Sequence, residues 1–146
     1  MANTLWGLAT LGWQAAAGPM RCALEAAAVR VAPSMNAQEV ANSLWALATL
    51  GWQAGDGAMR CALEGAAVRV APSMTAQNVA NTLWALATLG WQAAEGSMRC
   101  ALEGAAVRVA QSMNAQNVAN TLWASRRLAG KPTPKWLLFG GNCLEQ

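Results

Sequence analysis

The segment Asn42-Ser-Leu-Trp-Ala-Leu-Ala-Thr-Leu-Gly-Trp-Gln53 is nearly duplicated at Asn3 to Gln14 and at Asn81 to Gln92, and its first half returns at Asn120 to Ala124. The interval is 39 residues each time. Self-similarity at such a period constrains a chain to stacked copies of one supersecondary unit, none of which buries its apolar face alone. The intervening segment Met20-Arg-Cys-Ala-Leu-Glu-Ala-Ala-Ala-Val-Arg-Val-Ala32 also recurs, at Met59 to Ala71 and Met98 to Ala110. Each unit therefore holds two segments. They are separated by a Gly-containing break such as residues 51–57 and by a second break, Ala32-Pro-Ser-Met35 or Ala71-Pro-Ser-Met74.

Both segments read as helix, because Ala and Leu dominate and apolar residues recur at spacings of three and four. In the first helix of the second unit, Val40, Ala41, Leu44, Leu47 and Ala48 fall on one face. Asn36 is placed to cap its start, with Glu39 as the reciprocal partner of a capping box. Gly51 is expected just past its end, where Trp52 closes the hydrophobic contact of a Schellman motif. In the second helix, Met59, Leu63, Ala66 and Val70 make one apolar stripe and Cys61, Gly65 and Val68 a second, which predicts packing on two sides. The expected fold is all-α, an α-solenoid of about three and a half antiparallel helix pairs. The array covers residues 1–130, as a partial unit 1–35, units 36–74 and 75–113, and a partial unit 114–130. A Pro- and Gly-containing tail spans 131–146.

The chain is 55% apolar and 12% charged, which raises the question of a membrane. The uncharged run from Val70 to Ala94 is interrupted by Pro72, Gln77, Asn78 and Asn81. Its helical part, about 15 residues or roughly 22 Å, falls short of the ~30 Å hydrocarbon core, so no membrane span is expected. Neither a secretory signal nor a Ser- and Arg-rich transit peptide is recognisable in the opening residues.

Cys22, Cys61 and Cys100 occupy the same place in successive units, and Cys143 lies in the tail. Helices stacked roughly 8 to 10 Å apart hold equivalent cysteines beyond the ~7 Å that a disulfide spans. They read as small core residues that stay reduced, as in an intracellular compartment. The chain has no His, and its cysteines lack close spacing, so neither a metal site nor a cofactor is expected. No Gly-rich phosphate loop is present, and Arg60 and Glu64 have the spacing of a surface ion pair rather than of an acid/base site. These features point to a non-enzymatic protein.

The polar face of the first helix is the remaining candidate for function. Gln38, Asn42 and Thr49 line one stripe, with Trp45 at its border; the stripe recurs as Gln77, Asn81, Trp84 and Thr88, then as Gln116, Asn120 and Trp123. Side by side these become ladders of amides edged by indoles. Amides read the Watson-Crick edges of unstacked bases and aromatic rings stack on their faces. Alternatively, a column of Asn side chains bonds its neighbours and rigidifies the stack, and Trp45 and Trp52 are packing residues. From the residues alone both readings stand.

The phrase Gln77-Asn-Val-Ala-Asn-Thr-Leu-Trp-Ala-Leu-Ala-Thr-Leu-Gly90 resembles the first helix of octotricopeptide-type repeats, which are related to the repeats that precede RAP domains and to those of FAST kinase-like proteins. The resemblance spans residues 1 to about 125 of a period typical for a repeat class. It implies binding of single-stranded RNA through the first helices, with that role carried onto Asn42, Asn81 and Asn120. It also implies a chloroplast or mitochondrial setting and a part in RNA maturation, stability or translation. Neither a RAP-like nor a kinase-like domain is recognisable.

Charge modulates this expectation. Residues 1–35 carry +1, 36–74 carry −1, 75–113 are neutral and 114–146 carry +3. Since RNA affinity leans on phosphate neutralisation, the repeats call for weak electrostatics, with Arg126, Arg127, Lys131 and Lys135 as basic contacts near the end or as solvated charge. Near-neutral repeats suit a protein-interaction scaffold as well, and a truncated fragment of a longer repeat protein is a further reading. Units this alike would read the same base repeatedly, a short homopolymeric preference rather than a rich code.

Overall fold

The computed structural model describes residues 2–12, 18–52, 57–91 and 96–128. Among them the regular structure is entirely helical: α1 (Ala2–Thr10), α2 (Pro19–Val31), α3 (Ala37–Thr49), α4 (Ala58–Val70), α5 (Ala76–Leu89), α6 (Ser97–Val109) and α7 (Ala115–Leu128). Short 3-10 turns at Ala32–Ser34, Ala71–Ser73 and Ala110–Ser112 follow α2, α4 and α6. The third forms with Gln111 where the others have Pro33 and Pro72. A hydroxyl common to all three closes the turn: Ser34, Ser73 and Ser112 donate to the carbonyls of Val31, Val70 and Val109 at 2.8–2.9 Å.

Local signals set the helix limits. The backbone N–H of Glu39 donates to Asn36 Oδ1 and that of Asn36 donates to Glu39 Oε2, both at 2.9 Å, which completes the expected capping box. Thr75 and Asn78 make the same reciprocal pair at the start of α5. At the far end, Trp52 N–H donates to Leu47 O (2.9 Å) and Gly51 N–H to Ala48 O (3.1 Å), the two bonds of a Schellman motif. Trp91 and Gly90 repeat it on Leu86 and Ala87.

Gly51 and Gly90 adopt φ of +63° and +67°, and a Cβ added at either would meet nothing within 4 Å. Substitution Gly90→Ala therefore costs left-handed backbone strain alone, about 1 kcal/mol. It is expected to lower the urea midpoint without changing the slope of the transition.

Packing follows two series. Helices α1, α3, α5 and α7 contact one another in succession, and so do α2, α4 and α6, while α3 packs on α4 and α5 on α6. One continuous core joins them, with Leu44, Leu47, Leu63, Leu86 and Leu102 fully or almost fully buried. Ala41, Ala46, Ala80 and Ala85 have no exposed surface, and their small side chains admit the neighbouring backbone.

The apolar stripe Met59, Leu63, Ala66 and Val70 is buried as expected. The second stripe is not a packing face: Cys61 and Gly65 are exposed and Val68 is half-buried. Cys22, Cys61 and Cys100 are free, exposed thiols rather than core residues. Helix α4 meets α2 and α6 while burying a single apolar stripe, with Ala62 and Val68 half-buried against the core beside it, and Cys61 and Gly65 are left to water. Cys143 lies outside the described residues.

Polar side chains fasten successive pairs. The Arg69 guanidinium donates to the carbonyls of Met35 (2.6 Å) and Ala32 (3.2 Å) in the preceding turn. Arg108 does the same on Met74 (2.7 Å) and Ala71 (3.1 Å). Trp52 is buried against α2, where its Nε1–H donates to Glu25 Oε1 at 2.9 Å and Arg21 lies 5.1 Å from its ring. Arg60 lies over Trp91 at 5.6 Å.

Two hydroxyls sit inside the α1–α3–α5 series. Ser43 and Thr82 are completely buried, and neither oxygen has a hydrogen-bond partner among the described residues. An unpaired buried hydroxyl costs about 1–3 kcal/mol of desolvation, and Val has nearly the shape and helix propensity of Thr. Replacement Thr82→Val is thus expected to stabilise the chain by about 1 kcal/mol, raising the urea midpoint.

Candidate nucleic-acid interface

The ladder residues sit on α3, α5 and α7, which are consecutive neighbours. The apolar arc of each helix, Val40, Leu44 and Leu47 on α3 and Val79, Leu83 and Leu86 on α5, is turned into the core and fixes the opposite arc outward. On that outer arc Gln38, Gln77 and Gln116 are exposed, and Asn42, Asn81 and Asn120 are half-buried. Among the described residues no hydrogen bond engages the carboxamides of these three asparagines. Thr49 and Thr88 are exposed; Thr49 Oγ1 donates back to Trp45 O at 2.9 Å, so its proton is taken within its own helix.

The indoles divide by position. Trp45 and Trp84 are half-buried and pack on the core, whereas Trp123 is exposed. The rings of Trp84 and Trp123 lie 6.4 Å apart, centroid to centroid, at an angle of 30°. Arg127 takes the place that Thr49 and Thr88 hold on α3 and α5, and its guanidinium lies 5.0 Å from the Trp123 ring. A cation is thereby held beside the aromatic pair. Arg126 is exposed on the same last turn of α7, and Lys131 and Lys135 lie outside the described residues. No family profile and no curated protein matches this sequence.

Most of the other charged side chains among the described residues are engaged within the helices and between them. Arg21–Glu25, Arg60–Glu64 and Arg99–Glu103 form ion pairs at 2.9, 2.7 and 2.8 Å, as the spacing of Arg60 and Glu64 predicts. Trp52 and Trp91 are buried beside these pairs and act in packing. Among the described residues no group of His, Cys, Asp and Glu is arranged to hold a metal ion, and no helix is long and apolar enough to cross a membrane.

Two residues extend the row beyond those read from sequence. Asn3 and Trp6 on α1 are both exposed and stand 39 positions before Asn42 and Trp45. The repeat spacing itself was the signal that locates them.

Proposed function

We propose that the chain is an α-solenoid of octotricopeptide type that binds single-stranded RNA along the outer arc of α1, α3, α5 and α7, without enzymatic activity. The observation that carries the proposal is the set of half-buried Asn42, Asn81 and Asn120 carboxamides that no described residue engages, beside a row of indoles. A rigidifying ladder would spend those amides on one another or on backbone. Left unspent, each offers one acceptor and two donors to a base edge, while Trp84 and Trp123 offer faces for stacking. Arg126 and Arg127 supply the positive charge that the repeats lack. By the same resemblance, the RNA is an organellar transcript in a chloroplast or mitochondrion.

Filter binding to single-stranded RNA homopolymers at low and moderate salt tests this reading. Retention at low salt is expected, with one homopolymer preferred because the three units present the same amide. If Arg126 and Arg127 alone meet phosphate, affinity falls with salt at a log–log slope near about −1.4. Failure of every homopolymer to be retained at low salt overturns it.

Arg60, Arg69 and Arg108 are engaged within the protein, so the repeats keep little cationic surface for phosphate. That favours a peptide as ligand, and binding that does not respond to salt or to RNA competitor would select it.

A further inference from the structure

The bonds that Arg69 and Arg108 make hold their guanidinium groups in place without neutralising them. Each reaches its turn through Nη2 alone, and among the described residues nothing is bonded to Nε or Nη1. Both side chains remain exposed. Among the described residues neither has a carboxylate within ion-pair distance, whereas Arg21, Arg60 and Arg99 each hold a glutamate. A guanidinium carries five N–H donors, so bonds from one nitrogen leave its other edge for a further acceptor. Fixing the group beforehand also reduces the entropy lost when that acceptor arrives.

The two cations recur where the row of candidate RNA contacts begins. Residues 32–35 lead into α3 and residues 71–74 into α5, so each guanidinium stands at the start of an outer-row helix. Gln38 and Gln77 are exposed in the first turns of these helices, and Asn42 and Asn81 follow one turn on. From the helix start, each unit thus presents a cation, then carboxamides, then an indole. One acid shares this edge: Glu39, in the first turn of α3, accepts from the Asn36 N–H. Its counterpart on α5 is Asn78, which is neutral.

We infer that Arg69 and Arg108 form a phosphate track along the N-terminal edge of the outer arc, one cation per unit. The track sets the backbone of a single strand on that side and turns its bases toward Asn42, Asn81 and the indoles. It presupposes that single-stranded RNA lies on this arc. Phosphate contacts fix the position of a strand and carry no sequence information, so the track adds affinity without adding preference.

Filter binding of the parent and three variants to each RNA homopolymer over a range of salt tests the track, with the urea midpoint as the check on folding. Each cation that meets phosphate on a single strand contributes about −0.7 to the log–log salt slope. The double variant Arg69→Gln, Arg108→Gln should therefore give a slope shallower by about 1.4 and lose affinity by the same factor on every homopolymer. The double variant Arg69→Lys, Arg108→Lys loses the same planar bridge to the carbonyls but keeps the charge, and should hold the parent's slope. Variant Glu39→Gln preserves the capping box while removing the acid from this edge, and should tighten binding at low salt. A Gln double variant with the parent's slope overturns the track. So does a Lys double variant that loses as much as the Gln one, a loss confined to one homopolymer, or a Glu39→Gln variant that binds no tighter; each of these leaves RNA binding itself in place. A parent retained on no homopolymer overturns both.

Discussion

Substitution Trp52→Ala is expected to destabilise the chain by about 4 kcal/mol, at the upper end of what a single core truncation costs. The indole is almost completely buried, and its ring fills the space between the end of α3 and the Arg21–Glu25 turn of α2. Deleting it removes transfer free energy and leaves a cavity that the neighbouring backbone, pinned by the Leu47 and Ala48 carbonyls, cannot close. Little electrostatic penalty is added, because Glu25 keeps Arg21 as a partner at 2.9 Å. Replacement Trp52→Phe keeps most of the apolar contact and loses the Nε1–H bond to Glu25, so a cost of about 1.5 kcal/mol is expected. Urea unfolding of both variants measures the two losses. If Trp52→Ala cost no more than Trp52→Phe, the ring would not be joining these two pairs.

The largest functional effect is expected from removing Trp84 and Trp123 together. Each base stacked on an aromatic ring contributes about 1–3 kcal/mol, and these two rings are close enough to act on one nucleotide or on neighbours. Affinity for the preferred homopolymer should fall roughly tenfold in Trp123→Ala and about a hundredfold in Trp84→Ala, Trp123→Ala. The losses need not add, since the residues face each other. Trp123 is exposed, so its single variant should keep the unfolding midpoint of the parent and separates binding from folding. Substitution Trp84→Phe, which keeps a stacking face, should restore most of the affinity lost in Trp84→Ala. Unchanged binding in the double variant would remove the indoles from the interface.

What the sequence makes legible is local. The Asn36–Glu39 capping box and the Gly51–Trp52 ending are closed by atoms three to five residues apart, and the apolar arc of α3 follows from its spacing. Contacts between pairs are another matter. Arg69 reaches carbonyls 34 and 37 positions back, and Trp52 reaches a carboxylate 27 positions back. Helical spacing gives the direction of a side chain but not how many neighbours its helix has, so Cys61 and Gly65 look like a second packing stripe and prove exposed. For the site, spacing locates the Gln, Asn and Trp rows, yet the half-burial of Asn42 and Asn81 depends on how α3 and α5 approach. The Arg127–Trp123 contact requires the last turn of α7 to continue through Leu128, beyond the point where the repeat wording stops at Ala124.

Ultraviolet crosslinking of the full chain to its preferred RNA homopolymer, with the attached peptides mapped by mass spectrometry, tests the proposed interface most directly. Crosslinks on Trp45, Trp84 and Trp123 are the expected result. Crosslinks confined to Lys131 and Lys135, with none on α3, α5 or α7, would contradict it.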